Sequence, residues 1–191
     1  MNSWQRMLGR RAAPDPFERA MAAARAGDDH AARLLFTQAA NAKAPGAAFN
    51  LAIMLDKGRG GPADQSGAVS WYRVAADDGD IDACVHLATM LEHGIGVAAQ
   101  MSAAIVLLDR AATGGDVHAM ARLGVAYADG DGVNTDLDAA QGWLGKAADA
   151  GHAGAAYRVA MFADGAAADS ERARGHRSLR ASRERWTCCG D

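Results

Sequence analysis

Residues Val117–His152, VHAMARLGVAYADGDGVNTDLDAAQGWLGKAADAGH, decide how this chain folds. Moved back by thirty-six residues, the stretch lies over Ile81–Asp116, and moved back again it lies over Pro45–Asp80. The same residue classes recur in all three windows: Ala47, Ala83, Ala119; Leu51, Leu87, Leu123; Gly58, Gly94, Gly130; Gly60, Gly96, Gly132; Ala68, Ala104, Ala140; Gly79, Gly115, Gly151. Trp71, Leu107 and Trp143 share one place, and the pairs Ala75-Ala76, Ala111-Ala112 and Ala147-Ala148 share another. A fixed period of this length marks a solenoid, whose units bury their apolar faces only against neighbours.

Within each copy the small and apolar residues fall at spacings of four, three and one, as in Ala119, Leu123, Gly124 and Tyr127, which is one face of a helix. That helix ends where Gly58, Gly94 or Gly130 takes the left-handed conformation that closes it. Asp64 and Asp136, six residues further on, stand ready to accept backbone N–H bonds at the start of a second helix. Gln100 holds that place in the middle copy, which hands the role to Ser102. The second helix carries Ala68, Trp71, Tyr72, Ala75 and Ala76, or their counterparts, and stops at the closing glycine. The expected fold is therefore all-α, an α-solenoid of about five antiparallel helix pairs.

The flanks keep the register more loosely. Asp15-Pro16 reads as an N-cap followed by proline at the first helical position, and Asp28-Asp29 as the cap of the next helix. There Ala32, Leu35, Phe36, Ala39 and Ala40 fall on Ala68, Trp71, Tyr72, Ala75 and Ala76, so residues 15–44 form a divergent opening repeat. Residues 153–168 begin a last, degenerate repeat in which Gly165 comes one residue early and the second glycine is missing. Residues 169–185 are arginine-rich and are expected to form a polar capping helix; 1–14 and 186–191 are expected as a flexible segment and a tail.

A chain of 191 residues buries roughly 70% of its unfolded surface and needs no staples. Its three cysteines, Cys84 and the vicinal pair Cys188-Cys189, make no one-per-repeat disulfide framework, which favours a reducing compartment. The amino-terminal residues contain no apolar run of signal-peptide length, and no apolar stretch anywhere reaches membrane-spanning length. A cytoplasmic protein without membrane insertion is the expectation. Net charge is −3, with an acidic centre: Leu34–Glu171 holds eight basic and seventeen acidic residues, between basic ends. That balance argues against nucleic acid as a partner; docking of the arginine-rich end on an acidic surface would show itself by steep salt dependence.

The spacing A-x3-L-G-x2-Y-x2-G-x-G-V-x2-D-x3-A-x2-W-x3-A-A-x2-G-H, complete in Ala119–His152, resembles the Sel-one-like repeat family, a relative of the tetratricopeptide repeat. The first copy departs at Ala52, Leu55, Gly61 and Asp80, and the second at Ala88, Leu91, Gln100, Leu107 and Asp116. The resemblance implies a right-handed superhelix that binds proteins or peptides, with no catalytic chemistry and no cofactor.

Other chemistry has little support in the residues. The G-x-G-V loops do not follow strands and are copied three times, unlike a phosphate cradle. His86 and His93 lie two helical turns apart beside Glu92, so a metal- or small-ligand-binding protein is the rival reading, but the spacing and a third ligand are wanting. More informative are three ladders at positions the repeat leaves free: Phe49, Val85, Ala121, Tyr157; Asn50, His86, Arg122, Arg158; and Ile53, Thr89, Val125, Met161. In related helical-pair solenoids such positions on the first helices meet the partner. The expected binding surface is an apolar stripe beside a polar one ending in Arg122 and Arg158, which can take a carboxylate by bidentate hydrogen bonds.

Overall fold

Aspartates open most of the helices and glycines close many of them in the computed structural model, which describes residues 15–163. The helices are α1 (Pro16–Arg25), α2 (Asp29–Asn41), α3 (Ala47–Lys57), α4 (Gln65–Asp77), α5 (Ile81–His93), α6 (Met101–Thr113), α7 (Val117–Asp129) and α8 (Leu137–Asp149). A ninth, α9, runs over residues 153–163. Among the described residues there is no strand, and no helix is long and apolar enough to cross a membrane. The expected segments 1–14, 169–185 and 186–191, with the end of the last repeat, lie outside the described residues.

The repeat writes the same local bonds at the same offsets. Asp64, Asp80 and Asp136 each accept, through Oδ1, the N–H three residues on, from Gly67 at 2.8 Å and from Ala83 and Ala139 at 2.9 Å. Asp28 does the same for Ala31 at 2.9 Å, so it caps α2 and leaves Asp29 inside the helix. Gln100 is the N-cap residue of α6 but makes no side-chain cap bond, and Ser102 sits within the helix instead of capping it. The loops between paired helices are pinched by Asp64 N–H to the Leu55 carbonyl, Gln100 to Leu91 and Asp136 to Tyr127, at 2.8–2.9 Å. Gly58 and Gly94 close α3 and α5 at φ 65° and 67°.

Contacts divide the chain into two compact units. Among the described residues, the first runs to Asp116 and takes in residues 131–133; the second comprises Val117–Gly130 and residues 134–163. In the first unit α1 packs on α2, α3 on α4 and α5 on α6, while α2 meets α3 and α4 meets α5. Helix pairs thus follow each other in tandem, and their core is mostly alanine, leucine and methionine, with Phe36 and Tyr72 as its large rings. In the second unit α7 packs on α8, and Ala121, Leu144, Ala147 and Ala155 form the buried centre with Val125, Val159 and Phe162 against it.

The second glycine of each loop has a use beyond turning the chain. Gly60, Gly96 and Gly132 all have positive φ, and each lies against the start of a second helix thirty-one residues earlier. A Cβ on Gly96 would come within 2.5–2.8 Å of the backbone of Gln65 and Ser66, and one on Gly132 would meet Met101. A Cβ on Gly60 would collide with the Asp29 carbonyl. At this first junction side chains add a polar latch. Arg59 donates to both carboxylate oxygens of Asp29, at 2.6 and 3.2 Å, which raises the arginine pKa. Arg33 donates to the Pro62 carbonyl at 2.9 Å, and a His30 ring nitrogen lies 3.2 Å from the Gly60 carbonyl. Between the next two pairs Arg110 donates to the Ala76 carbonyl.

A candidate interaction surface

The ladder residues sit on the first helices α3, α5, α7 and α9. In the first unit Phe49, Asn50, Ile53, Val85 and Thr89 are half-buried and His86 is exposed. Phe49 and His86 meet, with ring centroids 5.7 Å apart, and both rest on Tyr72 of α4. The His86 ring stacks on Tyr72 at 5.2 Å and 3° between planes, while Phe49 tilts against it at 5.9 Å. Tyr72 is 1% exposed, and its hydroxyl has no hydrogen-bond partner among the described residues. Burial holds its phenol far above the usual range, with the Asp56 carboxylate as a second cause.

The remaining polar rungs turn back on their own helices. Asn50 donates its amide to the Gly46 carbonyl at 2.8 Å, and Thr89 its hydroxyl to the Val85 carbonyl at 2.9 Å. A His93 ring nitrogen lies 2.9 Å from the Thr89 carbonyl. His86 and His93 are therefore engaged separately, and among the described residues no three His, Cys, Asp or Glu side chains gather as metal ligands. Cys84 is buried, and burial pushes its thiol pKa up, away from the thiolate that nucleophilic or metal chemistry requires.

In the second unit Arg122 and Val125 are half-buried, and Val125 packs against the Leu144 cluster. Tyr157, Arg158 and Met161 come together on α9, where with Ala128, Asp129 and Phe162 they line an open depression of about 500 Å³. Tyr157 is 68% exposed and Met161 57%. Arg158 reaches Asp129 at 3.7 Å, a pair open to solvent on both sides. Tyr72, Asp129 and Phe162 are the contributors that sequence reasoning did not single out. Tyr72 was legible only as a second-helix core position, and the Asp129–Arg158 pairing needs the register between successive first helices, since Asp129 follows Arg122 by two turns.

Comparison with known proteins agrees with this geometry. The Sel1 repeat matches residues 45–80, 81–116 and 117–152. Among solved structures, the Sel1 repeat protein from Oxalobacter formigenes is 40% identical with a TM-score of 0.61, over 69% of this chain and 38% of that one. The protective antigen c5321, present in uropathogenic Escherichia coli strains and displaying an SLR fold, is 29% identical with a TM-score of 0.66, over 70% of this chain and 29% of that one. This chain thus spans well under half the length of either neighbour. No curated protein matches. Sel1 repeat proteins generally mediate protein–protein interaction and are not typically enzymes. With three tandem matched units, a thirty-six-residue period and an α-solenoid of helix pairs, the chain belongs to the Sel1 repeat family.

Proposed function

We propose that this chain is a non-enzymatic interaction module, a scaffold or adaptor of the cytoplasm, that takes a protein or peptide partner along the ladder of its first helices. The observation that carries the reading is the distribution of residues within each unit. The repeat consumes Ala, Leu and Gly positions for packing and leaves most ladder positions at least partly open, among them Phe49 and His86, Arg122, and Tyr157, Arg158 and Met161, with Ala121 buried. Amphipathic rims of this kind suit a peptide that contributes apolar side chains and a carboxylate. The buried, unreactive Cys84 fits a reducing compartment.

The test is capture from a lysate of the source organism by wild type and by an Asn50, His86, Arg122, Arg158 quadruple alanine variant, with helix content checked by circular dichroism. A partner held by the wild type and lost by the folded variant supports the ladder. Equal capture by both removes the ladder as the binding surface, and capture by neither removes the module reading under those conditions.

A further inference from the structure

Helix α9 starts on a histidine where α5 starts on an aspartate. Seventy-two residues before His152 stands Asp80, and thirty-six before His118 stands Asp82. Asp80 caps α5 through its carboxylate, and Asp82 adds a second carboxylate to the first turn of that helix. The second unit puts imidazoles at these places, His118 in the first turn of α7 and His152 just ahead of α9, and the two rings meet edge-on with centroids 5.3 Å apart. The Ala155 N–H donates to His152 Nδ1 at 3.1 Å and shares the His152 carbonyl with the Ala156 N–H, at 3.0 and 3.1 Å. The ring lies over Gly154, where a Cβ would come 3.3 Å from Cε1 and 3.6 Å from Nδ1, so the small residue there makes room for it. Ala155 is also the α9 member of the buried centre formed with Ala121, Leu144 and Ala147, which ties the cap to the packing of the helix.

A backbone N–H only donates, so this bond requires an Nδ1 without a proton. A carboxylate such as that of Asp80 keeps accepting down to the acid range, whereas an imidazole ordinarily takes up its second proton near pH 6.5, here on the nitrogen that the cap uses. With that proton Nδ1 is a donor facing a donor, and the ring sets a positive charge at the positive end of α9. From α7 the titratable group facing the ring is His118, whose own proton adds charge of the same sign. Asp149 near the close of α8 and Asp116 ahead of α7 are the carboxylates next to the two histidines along the chain, and the Ala155 N–H goes to neither. Lys146 is held over the Trp143 ring and Arg158 at Asp129. The capped helix needs the neutral ring and the unfolded chain does not, so the protection is full above histidine's ordinary range and lost as pH falls through it.

We propose that His152 is a proton-operated cap, which holds the start of α9 against α7 and α8 at neutral pH and releases it on mild acidification. It acts whether or not the ladder takes a partner. The test is amide hydrogen exchange on the full chain at about pH 7.5 and about pH 5.5, on either side of histidine's ordinary range, with each rate divided by the intrinsic rate at that pH. In the wild type, protection of 153–163 falls about fivefold at the lower pH, the factor that one helix cap is worth, while α5, capped by Asp80, keeps its protection. His152→Asp and His152→Asn, which cap in both conditions, hold 153–163 protected at both. His118→Gln, which leaves the cap in place, retains the fall. No fall in the wild type overturns the proposal, and so does an equal fall in the two His152 variants. A fall abolished by His118→Gln alone overturns it as well, since the sensor is then the other ring.

Discussion

Replacing Gly96 by alanine separates two costs that the loop glycines combine. At φ +70° the residue occupies left-handed backbone, and holding a side chain there costs on the order of 1–3 kcal/mol. The new methyl would also lie 2.5 Å from the Gln65 carbonyl carbon, 2.6 Å from its oxygen and 2.8 Å from the Ser66 nitrogen. All three are backbone atoms at the start of α4, so no rotamer change relieves the overlap and the loop must lift off the helix. Overpacking of that kind costs about 1–3 kcal/mol more. Gly79 is the control, because it has φ +96° and nothing within 4 Å of its Cβ position, so Gly79→Ala meets only the backbone cost. Thermal unfolding followed by circular dichroism should place Gly96→Ala below Gly79→Ala by about 2–4 °C for each kcal/mol of overlap in a chain of this size. Coincident midpoints would refute the claim that the second glycine is there for close approach between successive pairs.

Three further outcomes follow from single bonds. His152 stands where Asp80 stands two cycles earlier, and its Nδ1 accepts the Ala155 N–H at 3.1 Å, so His152→Asp should preserve stability while His152→Ala loses about 0.5–2 kcal/mol by chemical denaturation. The Tyr72 hydroxyl is buried without a partner among the described residues, so Tyr72→Phe should leave the unfolding free energy from urea titration unchanged or raise it by up to about 1 kcal/mol; a clear loss would mean the hydroxyl is bonded in solution. Asp64 is held below its ordinary carboxyl pKa of 3.8, first by the Gly67 N–H and then by the Ser66 hydroxyl. A lowered folded pKa gives stability that is full above the ordinary value and lost as pH falls through the folded one. Asp64→Asn, which still caps, should therefore keep neutral-pH stability and show a shallower loss between neutral pH and the acid range; an unchanged acid limb would count against the cap as its source.

What the sequence made legible is whatever repeats at thirty-six residues. The helix pairs, the capping aspartates at 64 and 136 and the left-handed closing glycines at 58 and 94 all stand where their spacing puts them. Two features escaped because they depend on geometry between copies. The second glycine reads as loop composition until its neighbour thirty-one residues earlier is known, and the closing position reads as a departure, His against Asp, until both are seen to accept the same N–H. Chemically different residues can fill one cap because the helix start asks only for an acceptor. Ser102 failed for the same reason in reverse, since a hydroxyl inside the first turn is past the place where a cap must stand.

The ladder was legible as a set of positions but not as a set of free groups. Asn50 and Thr89 spend their hydrogen bonds on carbonyls four residues earlier, a partner that every helical position offers and no periodicity reveals. Arg158 faces Asp129 at 3.7 Å, with both side chains close to half-exposed. A carboxylate arriving at that arginine displaces one already there, and exposed pairs contribute only about 0–1 kcal/mol. The exchange therefore selects for a carboxylate more than it drives binding. On the proposed reading of the ladder, the driving term for a partner on this rung is the apolar surface of Tyr157 and Met161, at about 25 cal/mol for each Å² covered. Removing Arg158 should then cost a partner specificity and little affinity, whereas removing Tyr157 should cost affinity first.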